Sequence, residues 1–119
     1  MDAKQKAVIQ AAKANGVVRV KALGPAIRGK IAGYVTRMRA SAQRGYINIA
    51  DAQGLRQLLN TTDFGNVRAG DVRELVMAAS DIVSILAKQP GEQMKEVSGL
   101  VSSKIDIELR TIVTISRQL

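Results

Sequence analysis

The side chains best suited to chemistry in this sequence are cations, and they gather on one predicted helix. The spacing over residues 30–44 is typical of an amphipathic helix. Its apolar face consists of Ile31, Tyr34, Val35, Met38 and Ala42. Its opposite face consists of Gly33, Thr36, Ala40 and Gln43, bordered by Arg39 on one side and by Lys30, Arg37 and Arg44 on the other. The helix therefore offers a basic surface with little side chain at its centre.

A surface of this kind is suited to a phosphate-lined groove. Small residues let the backbone approach closely, and cations at the borders meet phosphates. We therefore expect duplex DNA as the ligand. Two simpler interpretations remain open. In the first, the basic face is simply exposed to solvent and binds nothing. In the second, a second helix packs closely against the small residues Gly29, Ala32, Gly33 and Ala40.

The charge of the 119 residues is distributed unevenly. Residues 1–46 contain ten basic residues and one acidic residue, a formal charge of +9, whereas residues 47–119 contain eight basic and nine acidic residues, a charge of −1. A field concentrated in one half is suited to steering toward a polyanion, and solubility alone does not require the asymmetry.

Other classes of function find little support in the sequence. There is no cysteine and no histidine, which removes thiolate chemistry and the commonest metal ligand and general base. The carboxylates are scattered, and no P-loop, dinucleotide fingerprint or metal-ligand cluster is found. We expect no enzyme, no cofactor and no metal site. No apolar run approaches the roughly 18 residues of a membrane span, and the start lacks the apolar core of a secretory signal. A cytoplasmic location without a membrane partner is expected.

The elements around the basic helix follow from turn and cap residues. We predict a first helix from Asp2 to Ala14, a stop at Asn15–Gly16, a brief strand at Val17–Val20, a short helix at Lys21–Ile27 and a turn at Arg28–Gly29. Gly45-Tyr46-Ile47 then begins an aliphatic strand.

This order resembles the core of a winged helix-turn-helix domain over residues 7–60. The stretch that carries the resemblance is AVIQAAKANGVVRVKALGPAIRGKIAGYVTRMRASAQRGYINI. The resemblance implies that residues 30–44 form the recognition helix of a DNA-binding protein. Lys30, Gly33, Thr36 and Arg37 would face base edges, and Lys21, Arg28, Arg39 and Arg44 would contact phosphates. A wing hairpin of residues 46–49 and 55–59 would add Arg56.

Two alternatives affect this assignment. Pro25 is tolerated in a first helical turn, so it could begin one unbroken helix to Arg44, which would abolish the predicted turn. Asp51 could cap a helix through Asn60 instead of lying in a wing, because Leu55, Leu58 and Leu59 also fit a helical face.

The C-terminal half is predicted to be a helical hairpin. Asp71 with Glu74 forms a capping box for a helix to about Lys88, and Pro90–Gly91 ends it. The segment Glu92–Leu119 has apolar residues at helical spacing, beginning with Met94 and Val97. Residues 105–109 also alternate like a strand, and we favour the helix.

The apolar surface of this hairpin looks wider than a small module covers, which favours a homodimer. The residues predicted to form the interface are Leu75, Ile82, Leu86, Val97, Val101, Ile105 and Ile112. The alternative is that the hairpin packs back on its own domain. The sequence thus predicts a mainly α fold with a small β-hairpin. A winged helix-turn-helix domain spans residues 1–62, and a helical dimerisation region spans residues 63–119.

The sequence favours two alternative functions. The first is a sequence-specific, dimeric duplex-DNA-binding protein, acting as a transcriptional regulator or a plasmid or phage DNA-handling factor. Its two recognition helices would lie about 34 Å apart on a pseudo-palindrome. The second is an oligomeric helical structural or adaptor protein that docks an acidic partner or coats nucleic acid non-specifically.

Overall fold

The computed structural model describes the backbone of Val20 and Lys21 and all of residues 24–119. In that part of the chain there are four helices and four short strands. Their bounds are β1 Val20–Lys21, α1 Gly24–Gln43, β2 Tyr46–Asn48, α2 Ile49–Thr61, β3 Thr62–Asp63, α3 Ala69–Ala87, β4 Met94–Glu96 and α4 Gly99–Ser116. The fold is mainly α with a small antiparallel sheet, so the predicted fold class is confirmed at that level. The predicted first helix and its stop at Asn15–Gly16 lie outside the described residues.

The basic helix is longer than predicted. Helix α1 runs unbroken for 20 residues, and Ile27, Ile31, Val35 and Met38 form its buried face. Pro25 lies in the first turn, where its missing N–H has no helical partner to lose. The apolar spacing continues from Ile27 to Ile31 across Arg28–Gly29. The predicted turn and the separate short helix at Lys21–Ile27 are therefore wrong, and the alternative beginning at Pro25 is confirmed.

The strand after α1 pairs with a distant segment. Strand β2 lies antiparallel to β4, with Ile47 opposite Lys95, while β1 lies parallel to β3. The predicted return strand at residues 55–59 lies instead in α2, where Leu55 and Leu59 are buried. Asn48 caps this helix by accepting the Ala50 N–H at 2.9 Å. The predicted wing hairpin is wrong, and the helical alternative through Asn60 is confirmed.

The C-terminal helices lie close to their predicted positions. Helix α3 begins after Arg68, whose side chain forms no cap hydrogen bond, so the predicted capping box is wrong although the helix is present. Residues 94–96 form β4 rather than helix. Helix α4 is capped by Ser98, whose Oγ accepts the Val101 N–H at 3.2 Å, and it contains residues 105–115 as predicted.

One hydrophobic cluster joins both halves of the chain. Helix α3 packs against α2 and α4, and α1 packs against α2, α4 and β2. The cluster includes residues on both sides of the boundary predicted after residue 62. None of the described helices is long and apolar enough to cross a membrane.

The residues predicted for a dimer interface lie in this core. Leu75, Ile82, Leu86, Val97, Ile105 and Ile112 are buried, and Val101 is partly buried against them. The expectation that they face a second chain is wrong, because α2 covers α3 and α1 covers α4 within the same chain.

Candidate nucleic-acid interface

The side of α1 that points away from the core is open. Its residues, called here the outer face of α1, are Ala26, Gly29, Ala32, Gly33, Thr36, Ala40 and Gln43; Gly33 is half-buried and the others are exposed. A Cβ added at Gly29 would meet nothing within 4 Å, and one added at Gly33 would meet only the Arg37 Nη1 atom at 3.9 Å. No other described part of the chain covers these glycines, and the backbone of α1 is accessible there.

Helix α2 positions Arg37, one of the cations on one border of the outer face. The Nε atom of Arg37 lies 3.4 Å from an Asp51 carboxylate oxygen, and its guanidinium carbon lies 4.7 Å from the centre of the Tyr34 ring. The Tyr34 ring lies against Gly54, where an added Cβ would come within 2.8 Å of the phenol oxygen. Arg37 remains 57% exposed, so it is oriented by its neighbours and still accessible.

Helix α4 positions Arg39, one of the cations on the other border. Arg39 donates from Nε to the Asp106 Oδ1 atom at 3.0 Å, and Arg110 approaches the other oxygen of the same carboxylate at 2.7 Å. Arg39 is 44% exposed. Exposed ion pairs contribute only about 0–1 kcal/mol to stability. Their main consequence is that both arginines are held at a defined place beside the outer face.

The other predicted DNA-binding residues divide into two groups. Arg28, Lys30 and Arg44 are exposed, and among the described residues none of them has an ion-pair partner. With Gly33, Thr36, Arg37 and Arg39, they lie on or immediately after α1. Arg56 lies on α2 instead of a wing, about 140° around that helix from Asp51. For Lys21 the structure describes only the backbone, in β1.

Sequence reasoning missed three residues that organise this surface. Asp51 was considered only as a helix cap, and Asp106 and Arg110 had no assigned role. In the structure Asp51 pairs with Arg37, and Asp106 pairs with both Arg39 and Arg110. The spacing of Asp106 and Arg110 signals an i, i+4 helical pair. The Arg39–Asp106 pair, separated by 67 positions, leaves no local signal.

The part of the chain that the structure describes contains no group of three or more Asp, Glu, His or Cys side chains able to hold a metal ion. No protein-family model, no curated protein and no solved structure matches this sequence. The molecule is a mainly α protein with an open, basic helix face.

Proposed function

We propose that this protein binds duplex DNA through the outer face of α1. The observation that carries the proposal is the combination of an exposed row of small residues with cations on both of its borders. Arg28 and Arg39 lie on one border, and Lys30, Arg37 and Arg44 lie on the other. A solvated face needs no such exclusion of bulky side chains between its charges.

The dimensions support major-groove binding. The major groove is about 12 Å wide, and an α-helix with ordinary side chains is about 10–12 Å across. Small residues at the centre allow a deeper approach, and the two borders then face the two phosphate strands. Because the 20 residues of α1 span about 30 Å, only its middle turns can remain in the groove as the groove curves around the DNA axis. Lys30, Thr36 and Arg37 are the candidates for base contacts there, and Arg28, Arg39 and Arg44 are the candidates for phosphates.

The ion pair of Arg37 does not oppose this role strongly. An exposed pair such as Arg37–Asp51 is worth about 0–1 kcal/mol, whereas a bidentate arginine–guanine contact discriminates bases by about 1–3 kcal/mol. Arg37 can therefore exchange its carboxylate for a base at little cost. This proposal retains the winged-helix resemblance only in its coarse form, a basic helix beside a small antiparallel sheet.

The sharpest test fills the outer face without changing charge. Gly29→Leu and Gly33→Leu should each fold, because both positions have space, and should stabilise α1 by about 0.5–1 kcal/mol. Each variant should nevertheless bind duplex DNA about tenfold or more weakly, because leucine holds the backbone away from the groove. Gly70→Leu is the matched control, since Gly70 is an exposed helical glycine with open space, but lies on α3. Unchanged DNA affinity in both α1 variants would overturn the proposal.

A second test separates reading a sequence from coating. Arg28→Ala and Arg44→Ala, at two of the positions proposed to contact phosphates, should each reduce the slope of log affinity against log salt by about 0.9. Affinities that differ among unrelated duplexes would support a transcriptional regulator or a plasmid or phage DNA-handling factor. Equal affinities with a steep slope would support non-specific coating. Mass measurement of the complex would give its stoichiometry, and a dimer would require surfaces other than the buried hairpin residues.

A further inference from the structure

We propose that Arg110, on α4, joins Arg39 in a clamp for one phosphodiester at the edge of the DNA-binding face. This inference rests on the proposed function and extends the contact surface to a helix that sequence reasoning assigned to dimerisation. The fold brings two guanidinium groups, 71 positions apart in the chain, to opposite oxygens of the single Asp106 carboxylate.

The two arginines line the same open groove. It lies between the C-terminal part of α1 and the N-terminal part of α4, and its volume is about 740 Å³. Arg39 and Gln43 contribute from α1, and Ser102, Ser103, Asp106 and Arg110 contribute from α4. Gln43 also belongs to the outer face of α1, and Arg39 borders that face. The groove is therefore continuous with the proposed DNA-binding surface.

The electrostatics of the groove favour an anion. Two guanidinium charges against one carboxylate leave a net charge of +1 among the three side chains. Both ion-pair contacts run through Nε, and the hydrogen bonds of residues 24–119 include none from an Nη group of Arg39 or Arg110. Those Nη groups are the donors that bind a phosphate oxygen pair.

Asp106 acts as a positioning residue in this arrangement. It holds both guanidiniums beside the groove before the ligand arrives, and it halves their combined charge. A small free anion gains little from a net charge of +1 in an open groove. A phosphodiester of DNA already bound along α1 arrives at high local concentration, so the same groups suffice to bind it. The geometry therefore points to a backbone phosphate of duplex DNA.

The test compares Arg110→Ala with Lys104→Ala by titrating one duplex at several salt concentrations. Both variants remove one positive charge from an exposed position on α4. Lys104 lines a different groove, on the α3 side of the helix, together with Asp81, Ser84 and Lys88. Arg110→Ala should weaken binding about tenfold and reduce the salt slope by about 0.9, whereas Lys104→Ala should leave the slope unchanged. Arg110→Lys should keep the slope and recover only part of the affinity, because lysine lacks the bidentate fork.

The outcomes separate this inference from the proposed function. If the unmodified protein binds DNA and Arg110→Ala behaves like Lys104→Ala, the clamp is overturned and the α1 interface stands. If the unmodified protein binds no duplex, both are overturned. Inorganic phosphate, substituted for chloride at equal ionic strength, should leave DNA binding unchanged. Displacement of DNA by that phosphate from the unmodified protein, but not from Arg110→Ala, would identify a free-anion site and overturn the backbone assignment. Urea unfolding of each variant shows whether a loss of affinity reflects a loss of folded protein.

Discussion

Gly91→Ala should destabilise the fold far more than an alanine placed at a second glycine of similar conformation. Gly91 follows α3 and has φ of 97°, a region that disfavours residues with a Cβ. A Cβ at this position would also lie far inside contact distance of the Met94 carbonyl oxygen. The turn cannot relax freely, because Met94 begins β4 and pairs with Asn48 of β2.

Gly45 provides the matched control for the conformational part of this cost. Its φ is 88°, and a Cβ added there would meet nothing within 4 Å. The left-handed conformation costs a non-glycine residue about 1–2 kcal/mol, and about 0.4–1 kcal/mol of that is offset because alanine restricts the unfolded chain. Gly45→Ala should therefore cost about 1 kcal/mol. Displacing the Met94 carbonyl adds strain of about 1–3 kcal/mol, so Gly91→Ala should cost about 2–4 kcal/mol.

Urea unfolding followed by circular dichroism measures the difference between the two variants. With a slope m of about 2 kcal/mol/M, an extra 2 kcal/mol lowers the midpoint for Gly91→Ala by about 1 M relative to Gly45→Ala. The slopes should agree, since both variants expose the same surface on unfolding. Midpoints that coincide would refute the reasoning, because they would mean that the carbonyl of Met94 moves without cost.

Three further changes test other contacts. Gly54→Ala should destabilise α2, because the Tyr34 ring must move to make room for the new Cβ, and this should outweigh the preference of alanine for helix, up to about 1 kcal/mol. In a double-mutant cycle, the same change made in a Tyr34→Ala background should become stabilising. Lys95→Met should cost about 1–3 kcal/mol in urea unfolding, because the buried ammonium donates to the Gln89 and Gly91 carbonyls; Lys95→Arg should cost less if charge suffices. Burial and, second, the charge of Asp81 raise the pKa of Glu108. The Glu108 carboxyl therefore binds its proton more tightly in the folded state than in the unfolded chain. The contribution of this group to the free energy of unfolding is fully present below the ordinary glutamate pKa of about 4.3, and it is lost as pH rises through the folded pKa. Glu108→Gln should raise stability at neutral pH relative to the unmodified protein, and equal stabilities at pH 7 would contradict the assignment.

The sequence alone was enough to predict the helical character of residues 30–43, of α3 and of most of α4, together with their buried faces. Ile31, Val35 and Met38 are buried as the spacing of residues 30–44 predicts, and α3 and residues 105–115 are helical as expected. These features follow from local periodicity, because a helix places residues three or four positions apart on one side whatever it packs against. The exposed small residues between the cations were also predicted, because the same helical spacing that places the apolar residues on one face places these on the opposite face.

Which segments pair or pack together is visible only in the folded chain. Strand β2 pairs with β4 rather than with the next residues along the chain, and the apolar surface of α3 and α4 is covered by α2 and α1 rather than by a second chain. Strand pairing and burial depend on which surfaces the packing brings together. A local sequence pattern shows that a residue is apolar, but it does not show which residue it will contact. The same limit applies to the site. Arg39 was visible in the sequence as a border cation, but its meeting with Asp106 and Arg110 exists only because α1 and α4 lie side by side.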